Sequence, residues 1–181
     1  MPVAGLLVKD DLMTIGLPSD IVRVVDYSPE WPRLFAEEAA RLWAAIGAQV
    51  LDIQHMGSTS VPGLAAKPIL DIAVAVASYE GAFVCVPLLE PIGYEYRGDR
   101  GIPRRHYFVR GDPIAYHVHM NEIEGVAWRE HIAFRDALRA DPGLVQAYAE
   151  LKRALAAQFP EDREAYLNGK AAFIRRALDR T

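Results

Sequence analysis

The polar and apolar positions change period several times along the chain. Ile21–Asp26 (IVRVVD) alternates imperfectly among β-branched residues and predicts a strand. Ser28 followed by Pro29 predicts an N-cap and a first-turn proline. Trp31, Leu34, Phe35, Ala39, Leu42 and Ile46 then recur at helical spacing, and Gly47 ends the helix. Val50–Met56 reads as a strand, 57–68 as a turn-rich connection, and Ile69–Ala77 as a strongly apolar strand. A helix over Tyr79–Glu90 leads to Pro91 and Gly93. Short strands follow over Tyr94–Arg97, Arg105–Arg110 and Ile114–Met120, the last two joined as a hairpin across Arg110-Gly111-Asp112-Pro113. From Glu124 onward the period is helical. Asp141-Pro142 opens one helix and Pro160 separates the last two.

This order predicts an α+β fold: one mixed sheet with flanking helices and a helical C-terminal third. Residues 1–20 carry no sustained period and read as an N-terminal arm. The rest, 21–181, reads as a single domain, with a sheet core over about 21–120 and a helical part over about 124–180. A chain of 181 residues can bury one sizeable core.

The charge balance, 20 Lys and Arg against 24 Asp and Glu, gives a net −4. Duplex binders carry a basic balance or face, so nucleic acid is not the expected partner. No apolar run approaches the length needed to span a bilayer, and the first 20 residues lack the basic and apolar regions of a signal peptide. Cys85 is the single cysteine, which excludes an intrachain disulfide. A cytoplasmic location without a membrane partner is the expectation.

The candidate chemistry starts at His55–Ile72, HMGSTSVPGLAAKPILDI. Gly57 permits close backbone approach to a ligand, and Ser58, Thr59 and Ser60 add hydroxyls, a combination that suits phosphate oxygens. The same residues would also form an ordinary turn that caps its own backbone. The spacing from Gly57 to Gly63, and the lack of Ser or Thr after Lys67, exclude a Walker A loop. Asp71 opens an otherwise apolar strand, where a carboxylate needs a partner, a metal or an open sheet edge.

Met56-Gly57-Ser58 with Asp71 on the next strand resembles the polymerase-β-like nucleotidyltransferase signature. The longer run GSTSVPGLAAKPILD, with YHVHM, FRDALR and YAELK downstream, resembles the GrpB family over roughly residues 22–177. The resemblance implies a nucleotidyltransferase-like fold, Asp71 as catalytic and metal-holding carboxylate, and a nucleotide or other phosphorylated small molecule as partner. It also implies a divalent metal cofactor: Mg, Mn or Zn. Relatives of the domain occur fused to dephospho-coenzyme A kinase, which adds nucleotide-bearing coenzymes to the ligand class. The superfamily's second carboxylate falls at Ala73, so two-metal transfer lacks a ligand. Metal-dependent nucleotidyl or phosphoryl transfer, hydrolysis of a phosphorylated compound, and non-catalytic binding all stay open.

His117 and His119 lie two apart in a predicted strand and share one face, so with Asp71 they form a candidate Asp/His/His metal site; two packing histidines are the alternative. His55 adjoins the turn, either orienting it or bonding to backbone at the core edge. Arg97, Arg100, Arg104, Arg105 and Arg110 cluster against Asp99, as an anion site or a solvated loop, with Arg105 preferred as the ligand contact. In the C-terminal helices Tyr148/Lys152 and Tyr166/Lys170 repeat as Tyr-x-x-x-Lys, and His131/Arg135 stand four apart beside Leu138. Each pair puts a cation at the border of a packed face. Lys152 is expected to snorkel, its head in water. Lys170, more central, is expected to reach an anion or a carboxylate across the interface. The candidate substrate-binding set is therefore Gly57, Ser58, Thr59, Ser60, Lys67, Arg105, Lys152 and Lys170.

Overall fold

The computed structural model describes residues 15–180. Its elements run α1 (Trp31–Ile46), β1 (Asp52–Met56), β2 (Leu70–Val76), α2 (Cys85–Leu89), β3 (Tyr94–Tyr96), β4 (Arg105–Arg110), β5 (Tyr116–Glu122), α3 (Val126–Ala140), α4 (Pro142–Gln158) and α5 (Arg163–Leu178). The strands form one mixed sheet in the order β1-β2-β5-β4-β3, parallel only between β2 and β5. This is the expected α+β layout with a helical C-terminal third.

The pleat divides the sheet chemically. Ile72, Val74 and Val76 of β2, Phe108 of β4, and Val118 and Met120 of β5 turn to one face, where they pack with Leu42 and Ile46 of α1 and Leu89 of α2. Each such side chain stabilises the fold by about 1.5–3 kcal/mol through removal from water. The intervening residues, Asp71, Arg105, Tyr107, His117 and His119, therefore point to the other face. There α3 covers β1 and β2 through Trp128 against Met56, Ala73 and Ala75. Behind it, Leu138 of α3 and Tyr148 and Ala149 of α4 pack on Val61, Leu64 and Ala65 of the connection before β2.

Three local expectations are corrected. Ile21–Asp26 is not a strand: only Val25 makes an isolated bridge, to Ala66. Arg23 interrupts its pattern, and the segment packs on α4 and α5 through Val22 and Val24 rather than joining the sheet. The helix over Tyr79–Glu90 is broken into a 3-10 turn at Gly81–Val84, the short α2, and another turn at Glu90–Ile92. Pro87 and Pro91 remove the amides a continuous helix would need. Ser28 is not the N-cap of α1; it accepts from the amides of Glu30 and Trp31 in a turn, and Pro32 occupies the helix start.

By contrast, Asp141 caps α4 as expected, its carboxylate accepting from the amides of Gly143 and Leu144. Of the N-terminal arm, 1–14 lies outside the described residues. The adjoining Leu17 is buried and bridges Ile114, so the end of the arm packs on the domain. No helix among the described residues is long and apolar enough to cross a membrane.

Candidate functional site

Strand register assembles the centre. The parallel pairing of β2 and β5 sets Asp71 beside His117 and Ala73 beside His119. Because residues two apart share a face, both imidazoles reach the one carboxylate. His117 Nδ1 lies 3.1 Å and His119 Nε2 3.2 Å from Asp71 Oδ1. Burial opposes the charge on Asp71, but the hydrogen bonds from His117 and then His119 outweigh it and hold the carboxyl well below the usual range. Burial pushes the His117 imidazole down, so it stays neutral and donates from Nδ1.

Asp71, His117 and His119 offer ligand atoms within 4.8 Å of one another. Ligands about 2.0–2.1 Å from a tetrahedral ion stand roughly 3.3 Å apart, close to the two spacings between Asp71 and the histidines. The donor set of two imidazoles and one carboxylate suits zinc or manganese better than magnesium. One contact opposes an ion. Arg105 Nη1 lies 3.2 Å from His119 Nδ1, and a guanidinium only donates, so Nε2 carries the ring proton. An ion on Nε2 needs that proton on Nδ1, and the Arg105 contact must then give way. Arg105 stays anchored meanwhile by Asp99 O at 2.8 and 3.1 Å.

The Gly-Ser turn backs this centre. Gly57 has φ 69°, and a Cβ there would fall 2.7 Å from Asp71 Oδ2. Gly57→Ala is therefore expected to lose about 1–3 kcal/mol of stability and to displace the carboxylate, read by urea unfolding and by metal titration. Ser58 and Thr59 line the cleft above Asp71. Thr59 Oγ1 is also held 3.0 Å from His55 Nε2, and the His55 ring stacks on Phe35 at 4.6 Å, so His55 orients the turn through a side chain. The Ser60 hydroxyl is spent within the turn on Gly57 O, and Ser60 O accepts from Arg139 of α3.

The cleft over Asp71 encloses about 530 Å³ and is lined by Lys67, Arg100, Arg105, Lys152, Arg163 and Lys170 against only Asp71 and Glu164 as acids. Of the sequence-derived set, Ser58, Thr59, Lys67, Asp71, Arg105, His117, His119, Lys152 and Lys170 all converge here. Gly57 and Ser60 act from behind the wall. Arg104, the neighbour of Arg105, turns outward to pair with Glu80 and Glu122.

The snorkelling expectation for Lys152 is corrected. The residue is 2% exposed, its Nζ donates to Ala65 O, and it sits 4.7 Å from the Tyr148 ring. Helix α4 packs against α3 and α5, which turns the head inward to the cleft rather than out to the surface. Lys170 reaches no carboxylate among the described residues; its Nζ lies 4.5 Å over the Tyr166 ring, facing the cleft.

Sequence reasoning missed Arg163 as a cleft residue; Arg100 stands within the arginine cluster that reads as an anion site or a solvated loop, and Tyr166 reads as part of a packed face. Arg163 and Tyr166 come from the start of α5, and no local pattern marks a helix that will lie across a distant strand. His131 of α3 was noted only as flanking a packed face. Its ring stands 5.6 Å from that of His119, its Nδ1 is buried without a partner among the described residues, and burial pushes the ring down to about 4. Ala73, where a second carboxylate would stand, is buried under Trp128.

A mixed α+β domain whose sheet carries an Asp/His/His cluster at the floor of a cationic cleft is the class of protein this geometry defines. The chain belongs to the GrpB family, whose model, described as GrpB protein, matches residues 21–180. The crystal structure of conserved protein GrpB from Enterococcus faecalis is 37% identical with a TM-score of 0.81, covering 87% of this chain and 96% of that one. The UPF0157 protein YqkA of Bacillus subtilis is 39% identical over 161 residues, covering 88% of this chain; the chain spans 47% of that relative's length. A distant likeness, 16% identical with a TM-score of 0.49, covers 74% of this chain and 41% of a cytoplasmic RNA terminal U-transferase.

Proposed function

We propose that the cleft binds a phosphorylated small molecule, a nucleotide being the first candidate, and supports metal-dependent nucleotidyl or phosphoryl transfer. The observation that carries this reading is the presence, in one cleft of an acidic chain, of six cationic side chains above an Asp/His/His cluster. Phosphate esters need a cationic wall for binding, and their transfer depends on positioning and charge neutralisation more than on a covalent nucleophile.

A divalent ion on Asp71, His117 and His119 would polarise a phosphoryl oxygen as a Lewis acid. Ser58 and Thr59 hold the edge of the phosphate position from the turn. Arg105, still anchored on the loop carbonyl of Asp99 once an ion has displaced its contact with His119, would neutralise charge developing over the metal centre.

The buried Ala73 supports a second reading, binding without transfer, because the site offers one carboxylate where two-metal chemistry uses more. A thermal-shift matrix tests both: the four NTPs and coenzyme A precursors, each without metal and with Mg²⁺, Mn²⁺ or Zn²⁺. A ligand at a hundred times its Kd should add about 2.7 kcal/mol, a rise of several degrees. A metal-dependent rise with release of phosphate or pyrophosphate supports transfer, and a rise with no release over hours supports the binding module. No rise with any ligand overturns both readings.

A further inference from the structure

We propose that Lys152 and Lys170, with Lys67, form a subsite for a terminal dianionic phosphate whose entry is coupled to proton uptake by the protein. The inference rests on the phosphorylated-ligand reading above and names what the deep end of that cleft recognises. The chain holds only four lysines, and the three among the described residues, Lys67, Lys152 and Lys170, all line this one cleft. The other cations of the described surface are arginines. The distinction has a chemical meaning: a guanidinium keeps its proton, whereas a buried ammonium sheds it readily.

The geometry is that of an anion cradle without its anion's counter-charge supplied by protein. Lys67 and Lys170 lie over the same Tyr166 ring, at 5.6 and 4.5 Å, and Lys152 over Tyr148 at 4.7 Å. None of the three forms an ion pair among the described residues. Their placement comes from three separate elements: the connection before β2, α4 and α5. That convergence is not a by-product of one helix face.

Asp71 faces the trio from β2, Tyr107 from β4, and His117 and His119 from β5. From α5 come Arg163, Glu164 and Tyr166, and from α4 come Arg153 and Tyr148; Arg100 and Arg105 close the far side. The cations among them repel further positive charge. Burial, followed by Lys170, Arg153 and Lys67, pushes Lys152 down to about 6. Burial and Lys67, against a smaller pull from Asp71, push Lys170 down to about 7, and burial with Arg163 lowers Lys67 to about 8.

At pH 8 the free cleft therefore holds Lys152 and Lys170 mainly as neutral amines. An entering dianion restores their charge: each amine takes a proton from the buffer and becomes an ammonium beside a phosphate oxygen, with no other bond made or broken. Because protons become scarcer as pH rises, affinity falls with pH across this range.

Isothermal titration with ADP at pH 8.0, metal removed, in two buffers of different ionisation enthalpy, tests the coupling. Phosphate monoesters with a second pKa near 6 are already dianionic there, so uptake reports the protein. The expected result is about two protons taken up per ADP bound, one on each amine. Lys170→Arg, which fixes the charge, should keep the affinity while cutting the uptake by about half. Lys170→Gln should weaken binding roughly tenfold or more. Binding with equal heats in both buffers overturns the subsite and leaves the nucleotide reading intact. Failure of ADP and inorganic phosphate to bind, with or without metal, overturns both.

Discussion

Asp71→Asn is expected to abolish divalent-metal binding and any transfer activity while the domain stays folded. Asparagine preserves the size and the carbonyl oxygen, so the donors of His117 and His119 keep a partner near the present 3.1 and 3.2 Å. What is lost is the negative charge, which the His117 and His119 donors favour in the folded chain more than burial opposes it. The variant should therefore unfold at a somewhat lower urea concentration than the wild type at neutral pH, while remaining folded in buffer. Its metal affinity should fall by more than the roughly 10–100-fold typical of losing an outer partner, because the carboxylate is itself a ligand. Metal titration followed by calorimetry, and product release in the presence of NTPs, give the two readouts. Turnover at the wild-type rate in this variant would remove Asp71 from the chemistry and the proposed mechanism with it.

The second large effect concerns Lys152 and stability. In the folded chain this ammonium is pushed down to about 6, while an unfolded lysine keeps its proton to beyond pH 10. Between those values the unfolded state binds a proton that the folded state does not, so stability rises with pH across that window. Lys152→Met fills similar volume without the amine. It should raise stability by about 1–4 kcal/mol at pH 6 and by less at pH 9, since the penalty it removes shrinks as pH rises. The loss of the donor to Ala65 O works against the gain at every pH. Urea unfolding of both proteins at pH 6 and 9 measures the difference, and a variant less stable at both pH values would contradict the sign. A gain in stability bought with a loss of ligand affinity would match a group retained for binding.

Several elements were readable from short stretches because their causes are local. The stripe of α1 from Trp31 to Ile46, the cap at Asp141 and the hairpin of β4 and β5 each depend on residues within a few positions of one another. The Gly57 turn and the alternation of His117 and His119 belong to the same class. So does the pairing of Asp71 with an apolar strand, which flagged a carboxylate in need of partners. Where reading failed, competition from elsewhere in the chain decided the outcome. The β-branched run Ile21–Asp26 has strand propensity, yet Val22 and Val24 are claimed by α4 and α5. The helical period across Tyr79–Glu90 is overruled by Pro87.

The cleft itself shows the boundary most clearly. Spacing named Asp71, His117, His119 and the hydroxyl turn, because a period of two and a glycine's backbone freedom are properties of adjacent residues. The adjacency of Asp71 to His117 came only from the parallel register of β2 and β5. Arg163 and Tyr166 entered the wall only because α5 crosses over the sheet. Lys152 read as a snorkelling lysine from its own helix and proved to be buried. Hydrogen bonds of caps and turns are set by near neighbours, so the linear chain carries them. Desolvation and the repulsion among three lysines are sums over every atom packed around them, and those sums exist only once the helices have closed over the sheet.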